Sequence, residues 1–188
     1  MSNYSFVFAQ MCEEEIDELE NNFAQNLLRP TVFFDRDGTL NEDIHYPYKV
    51  EDLSLISGAA KTVRSFCNLG YLTVIITNQS GIARGLFDIY DLNRFNKALC
   101  TALSTEGARI DLILHCPDHP DFSGPCSCRK PSPDLIYTAV KCLPIDLSKS
   151  LLIGDRPSDV ACAAAAGIEG HLFLGDNLFE FCKLNGLF

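Results

Sequence analysis

Residues Thr31 to Asn41 read TVFFDRDGTLN: a short apolar run, then Asp35, a spacer, Asp37, and Gly38-Thr39. An apolar, β-favouring run of this length, ended by polar and turn residues, fits a buried strand of a parallel sheet. Asp35 and Asp37 are then expected at its carboxyl end, the edge at which open α/β sheets bind ligands. Two carboxylates one residue apart at a strand end can both reach a single hard cation. Mg²⁺ suits them, since it takes one or two carboxylates together with phosphate oxygens. With a phosphate monoester on that ion, one aspartate is placed to attack phosphorus and the other to protonate the departing oxygen.

The rest of the chain is bounded by its size and charge. At 188 residues and 47% hydrophobic it has the size of one compact α/β domain, with no internal repeat. No apolar run approaches the ~20 residues that span a bilayer, and the N-terminus lacks a signal-peptide pattern, so a cytoplasmic protein without a membrane partner is expected. A formal net charge of −10 argues against a nucleic-acid partner, because no basic stripe is present to displace counterions. The basic residues Arg84, Arg129, Lys130 and Arg156 nevertheless fall in or beside motifs. Residues 1–29 precede the first strand; Ile16, Leu19, Phe23 and Leu27 are spaced as on one face of a helix, so a helical extension is expected ahead of a domain at 30–188. Of the nine cysteines, Cys67, Cys100, Cys142 and Cys162 sit in helical patterns and read as core.

Outward from the first strand, a loop at 41–47 begins beside the carboxylates and overhangs them. A helix over 58–69, stopped by Gly70, leads to a strand over 72–76 that ends in Thr77-Asn78-Gln79-Ser80-Gly81. A threonine at such a tip can donate hydroxyl and backbone N–H to a phosphate oxygen. A helix over 88–105 and a strand over 110–114 follow. Next comes a loop holding Cys116, Asp118, His119, Cys126 and Cys128, and three cysteines with a histidine in one loop can form a closed tetrahedral Zn²⁺ site. Arg129-Lys130-Pro131 adjoins it, and a lysine beside the carboxylate pair would offset the charge of nucleophile and phosphoryl oxygens. A helix over 134–143 and a strand over 151–153 lead to Gly154-Asp155-Arg156-Pro157-Ser158-Asp159, an acidic pair able to complete a Mg²⁺ site. A helix over 160–166, a short strand over 172–174 and a helix over 177–184 end the chain.

The D-x-D-G-T after an apolar strand, the Thr-ended second strand, the lysine and the G-D-x-x-x-D together resemble the haloacid dehalogenase superfamily of phosphatases. T-N-Q-S-G-I-A-R-G and C-R-K-P resemble, more narrowly, its histidinol-phosphate and heptose-bisphosphate phosphatase branch. The resemblance implies a Rossmann-like domain with a central parallel sheet. It implies Asp35 as the nucleophile that forms an aspartyl-phosphate, Asp37 as general acid and base, and Thr77 and Lys130 on the phosphoryl group. Mg²⁺ is assigned to Asp35, the Asp37 backbone and Asp155. Substrate contacts fall on Asp43, Ile44, His45, Tyr46, Asn78, Gln79, Ser80, Arg129 and Arg156. Structural zinc falls on Cys116, His119, Cys126 and Cys128; the branch pattern is C-x-H…C-x-C, whereas here Asp118 holds the histidine position, and His119 one residue later is the expected replacement.

The intervals between motifs are filled by the expected loops, helices and strands, which leaves no room for a large cap domain. The implied substrate is D-glycero-D-manno-heptose 1,7-bisphosphate, cleaved at the 7-phosphate, with histidinol phosphate the alternative. In the loop that reads D-H-G-Y in the branch, this chain has Asp43-Ile44-His45-Tyr46, with a histidine in place of glycine. A non-catalytic, zinc-stabilised binding module is the alternative from another class, but it predicts loss of one of Asp35, Asp37, Lys130 and Asp155, and all are present. A monomer or weak homodimer is expected.

Overall fold

The apolar run does form a strand, β1 (Thr31–Phe34), with all four residues buried. In the computed structural model, which describes residues 28–188, β1 is the middle strand of a five-stranded sheet of order β3-β2-β1-β4-β5. Every neighbouring pair is parallel, and the other members are β2 (Leu72–Asn78), β3 (Leu112–Cys116), β4 (Leu151–Gly154) and β5 (Glu169–Leu172). The helices are α1 (Ala59–Asn68), α2 (Ile89–Ser104), a single turn α3 (Pro120–Ser123), α4 (Asp134–Cys142), α5 (Pro157–Ala166) and α6 (Leu178–Leu184).

Successive strand side chains point to opposite faces, so each strand feeds two cores. Val32 and Phe34 join Ile75, Ile113 and Ile153 beneath Phe66 of α1, Leu99 of α2 and Leu178 of α6. Phe33 joins Val74, Ile76, Leu114 and Leu152 beneath Leu135 of α4 and Cys162 of α5. Burial on both faces is why these strands read as continuous apolar runs rather than alternating ones. The chain runs from β1 outward to β2 and β3 on one side and returns through β4 and β5 on the other. The order therefore reverses beside β1, and the carboxyl end of β1 opens onto that switch point.

Some expected boundaries shift. β3 starts at Leu112 and continues through Cys116, because Asp111 is used as an anchor: its carboxylate accepts from Thr73 N at 2.8 Å. The last strand is Glu169–Leu172, not 172–174. Its polar residues hide it, and Gly170 lies so close to α5 that a Cβ there would press on Ala163. Helix α5 starts at Pro157, where proline suits the first turn. The folded domain already includes Arg29, whose N–H donates to Pro144 O and whose guanidinium donates to Gly70 O; the helix expected earlier lies outside the described residues. Between β1 and β2 the chain forms only a loop, a 3-10 turn (Val50–Asp52) and α1, so no cap is inserted there. Among the described residues no helix is long and apolar enough to cross a membrane.

Candidate active site

Asp35 follows directly on β1, and its N–H donates to Ile153 O on β4, which places its side chain at the switch point. Lys130 reaches it from the far side of the cysteine loop. Its Nζ lies 2.7 Å from Asp35 Oδ1, 2.6 Å from Asp159 Oδ1 and 2.9 Å from Ile76 O. The ammonium is thus surrounded by three oxygens, and the group is almost fully buried. Asn78, at the end of β2, brackets the Lys130 backbone: its Oδ1 accepts from Lys130 N and its Nδ2 donates to Lys130 O. Asp159 has two tasks, since its other oxygen accepts from Arg156 N and opens α5. Gly154 permits this approach, because a Cβ there would collide with the Asp159 side chain.

Burial pushes the Asp35 carboxyl up to about 7; Lys130 works against this, and the Asp159 and Asp37 charges add to it. The Lys130 ammonium is held above its usual range by Asp35 and Asp159, although burial alone would lower it. The site therefore stores more negative charge than one lysine balances.

Asp37 is oriented by four donors. Arg36 Nε and Asn41 Nδ2 donate to Oδ1 at 2.8 and 3.0 Å, and Arg36 Nη2 and Gln79 Nε2 donate to Oδ2, each at 2.8 Å. Gln79 Nε2 also donates to Thr77 Oγ1 at 2.9 Å, which leaves the Thr77 hydroxyl proton for an outside acceptor. Both ends of the Gln79 amide are used inside the protein, so this residue positions others more than it contacts a ligand.

These groups floor a cleft of about 440 Å³. Its walls include Asp43, His45 and Tyr46 from the overhanging loop, Ser80 and Arg84 after β2, and Arg129, Arg156 and Ser158. Ile44, expected among the substrate contacts, is half exposed and does not line the cleft. His45 and Tyr46 adopt φ of 65° and 64°, the left-handed region that favours glycine. His45, at the position where the branch pattern has glycine, therefore holds a conformation that favours glycine, at some strain. Asp43 Oδ2 and Arg156 Nη2 meet at 2.7 Å and tie the loop to the start of α5. Arg84 stacks on Phe122 at 4.2 Å and faces Tyr46 at 5.7 Å, joining the loop to α3.

The carboxylates that converge for a cation are those of Asp35, Asp155 and Asp159. Asp155 Oδ1 is buried with no hydrogen-bond partner, and such an oxygen among like charges suits an oxygen-seeking divalent ion. The Asp37 carboxylate, committed to its four donors, is not in this group, which leaves only its backbone for the ligand role expected of it. Asp159 takes a larger part than the sequence suggests.

In the cysteine loop, the side chains that converge are Cys116, Asp118, Cys126 and Cys128. His119 is absent from the cluster, contrary to expectation: its Nδ1 accepts from Asp121 N as the cap of α3, and its ring packs on Phe122. The sulfurs of Cys116 and Cys128 are in bonding contact, with Cα atoms 5.5 Å apart, and Cys126 Sγ lies 3.9 Å from Cys116 Sγ. A bound metal and that sulfur pair are alternative uses of the same thiolates. Three sulfurs and one carboxylate fit a tetrahedral zinc site as a donor set.

Arg36 and Asn41 are site residues that motif reading passes over, whereas Arg84 stands out as the arginine of T-N-Q-S-G-I-A-R-G. Arg36 matters through Gln79 and Asn96, 43 and 60 residues away, and Asn41 through Asp37, four residues before it.

A family model described as HAD-hydrolase-like matches residues 127–177. A D-glycero-beta-D-manno-heptose-1,7-bisphosphate 7-phosphatase of Rhodopseudomonas palustris is 41% identical over 160 residues, 82% of this chain and 89% of the relative. A D-glycero-alpha-D-manno-heptose-1,7-bisphosphate 7-phosphatase of Photorhabdus laumondii is 37% identical, covering 81% and 94%. Among solved structures, the D,D-heptose 1,7-bisphosphate phosphatase of B. bronchiseptica complexed with magnesium and phosphate superposes with a TM-score of 0.72 at 30% identity, over 84% of this chain and 87% of that one. Similarity of that extent, together with the aspartate pair, lysine and acidic cluster at one sheet edge, places the chain in the haloacid dehalogenase superfamily of phosphoric monoester hydrolases, in its heptose-bisphosphate phosphatase branch.

Proposed function

We propose that this enzyme removes the 7-phosphate of D-glycero-D-manno-heptose 1,7-bisphosphate. The observation that carries the reading is the cleft itself. It is lined by Asp35, Thr77 and Lys130, suited to a phosphoryl group, and by Arg84, Arg129 and Arg156, suited to a small polyanionic sugar, and no cap is inserted between β1 and β2. The names of the similar proteins point to the same substrate class.

Asp35 attacks phosphorus as the bond to the sugar oxygen breaks, and Asp37 gives its proton to that oxygen. A water then attacks the aspartyl-phosphate, Asp37 takes its proton, and phosphate leaves with Asp35 restored. Dividing the displacement into two steps, with pre-placed charge around the phosphoryl oxygens, accounts for most of the acceleration. Lys130 draws Asp35 and the phosphoryl oxygens together, and Thr77 donates its free hydroxyl proton to one of them. Mg²⁺ held by Asp35, Asp155 and Asp159, when bound, supplies charge neutralisation at the phosphoryl oxygens. Cys116, Asp118, Cys126 and Cys128 are the residues that would hold zinc, which would order the loop that carries Arg129 and Lys130.

Phosphate release from both heptose 1,7-bisphosphate anomers, fructose 1,6-bisphosphate and histidinol phosphate, with Mg²⁺ and with EDTA, tests the reading, with Asp35→Asn as the control. Selective Mg²⁺-dependent turnover of a heptose bisphosphate is expected. Preference for histidinol phosphate would retain the mechanism and overturn the substrate.

A further inference from the structure

Arg36 is the spacer of D-x-D, the residue such a motif leaves free, yet its side chain is wholly buried. Burying a guanidinium is costly, and an apolar residue of similar volume is often as stable, so a fully buried arginine calls for another reason than stability. Its partners supply one. Nε and Nη2 grip the two oxygens of Asp37 as a fork, Nη1 donates to Asn96 Oδ1 at 3.0 Å, and Nη2 also reaches Pro47 O and Gln79 Oε1, both at 3.1 Å. The Phe95 ring lies 4.7 Å beneath the guanidinium carbon. Every nitrogen is engaged, and Asn96 and Phe95 belong to α2, a rigid element outside the cleft.

A planar fork on a carboxylate fixes both its direction and the rotation of its plane, which a lysine or a single amide cannot do. Asn41 and Gln79 occupy the remaining two acceptor positions, and as neutral amides they are the partners able to give way when Asp37 turns to a substrate oxygen. The guanidinium stays. Through Pro47 O, the same group also ties Asp37 to the end of the loop that overhangs the cleft.

We propose that Arg36 is the positioning residue for Asp37, an anchored fork that holds its carboxylate where it can pass a proton to the leaving sugar oxygen. This rests on the reading of Asp37 as general acid and base. A positioned acid matters for an alkoxide and hardly at all for a leaving group that departs without a proton, so the signature lies in leaving-group dependence.

The test compares kcat/KM for a sugar phosphate and for p-nitrophenyl phosphate, at saturating Mg²⁺, in Arg36→Met, Asn96→Leu and Asp37→Asn. The ratio kcat/KM reports the first displacement and is blind to hydrolysis of the aspartyl-phosphate. Arg36→Met is expected to lose about 10²-fold on the sugar phosphate, within the range ascribed to a positioned acid, and less than about threefold on the aryl ester. Asn96→Leu removes only the anchor and is expected to move the ratio in the same direction by about tenfold; it decides the matter should Arg36→Met not fold. If Asp37→Asn shifts the ratio but Arg36→Met and Asn96→Leu lower both substrates in parallel, the positioning role is overturned. An Asp37→Asn variant with an unchanged ratio would instead refute the acid-base reading, and the proposal with it.

Discussion

Lys130→Met keeps the length and volume of the side chain and deletes its charge. Three contacts at 2.6, 2.7 and 2.9 Å are lost, and two buried carboxylates, Asp159 and Asp35, face each other without a cation between them. Breaking a buried ion pair from one side costs about 3–5 kcal/mol, because the remaining charge is uncompensated. The size of the loss depends on pH. The Asp35 carboxyl already titrates at about 7 because burial disfavours its charge, and without Lys130 it moves higher. An acid whose folded-state pKa lies above its unfolded value takes up a proton on folding as pH falls, so the folded state gains stability below that pKa. In the variant this gain sets in at higher pH than in the parent. Urea denaturation without Mg²⁺ is therefore expected to show a deficit of about 3–5 kcal/mol at pH 8 that is smaller by about 1 kcal/mol at pH 5, since the parent itself gains from protonation below about 7. With Mg²⁺, kcat/KM should fall at least about 10²-fold, as for loss of one preorganised charge at the reacting group. A variant as stable as its parent at pH 8, or one with the same deficit at both pH values, would refute the central place given to the lysine.

Three further outcomes are expected. Gly38→Ala combines a φ of 83° with a Cβ driven into the Asp155 carboxylate, so it should lower stability by about 1–2 kcal/mol and weaken Mg²⁺ binding in calorimetry, whereas unchanged binding would detach Asp155 from the metal. Asp118→Ala should reduce the zinc retained after gel filtration by about tenfold or more while His119→Ala leaves it unchanged, and the reverse pattern would restore His119 as ligand. Burial, helped by the Arg36 charge, pushes His115 down to about 4 from 6.5, so the unfolded chain binds the extra proton between these values and stability falls as pH drops through that window. His115→Phe should remove up to about 3 kcal/mol of that acid sensitivity, read as the difference in urea midpoints at pH 7 and pH 4.5, and an identical pH dependence in both proteins would show that His115 is protonated in the fold.

The residues that sequence reading placed well share a property: each sits at the end of an apolar strand, and the strand is legible from its immediate neighbours. Asp35 after β1, Thr77 in β2 and Asp155 after β4 all follow from that rule. Where the structure departs from expectation, the outcome depends on which of two adjacent groups turns inward. Asp118 and His119 differ by one position in a loop with no periodicity to orient them, and the side chain that joins the three cysteines is that of Asp118, because α3 recruits the imidazole as its cap. Ile44 lies within the expected loop but points to solvent, since His45 and Tyr46 turn the backbone through the left-handed region. The polar composition of Glu169–Leu172 conceals a strand that only its packing on α5 reveals.

By itself the sequence determined the parallel α/β sheet, the edge at which chemistry occurs, the aspartate pair and the lack of a cap insert between β1 and β2, because hydrophobic patterning and strand-end position are local properties of the chain. The tertiary structure decided how those groups act together. Lys130 meets Asp35 across 95 residues, Arg36 meets Asn96 across 60, and Arg156 meets Asp43 across 113. The orientation of Asp37, the share of Asp159 in the acidic cluster and the fourth member of the cysteine cluster depend on distances of about 3–5 Å between such residues, and only the packing of helices onto the sheet sets distances of that kind.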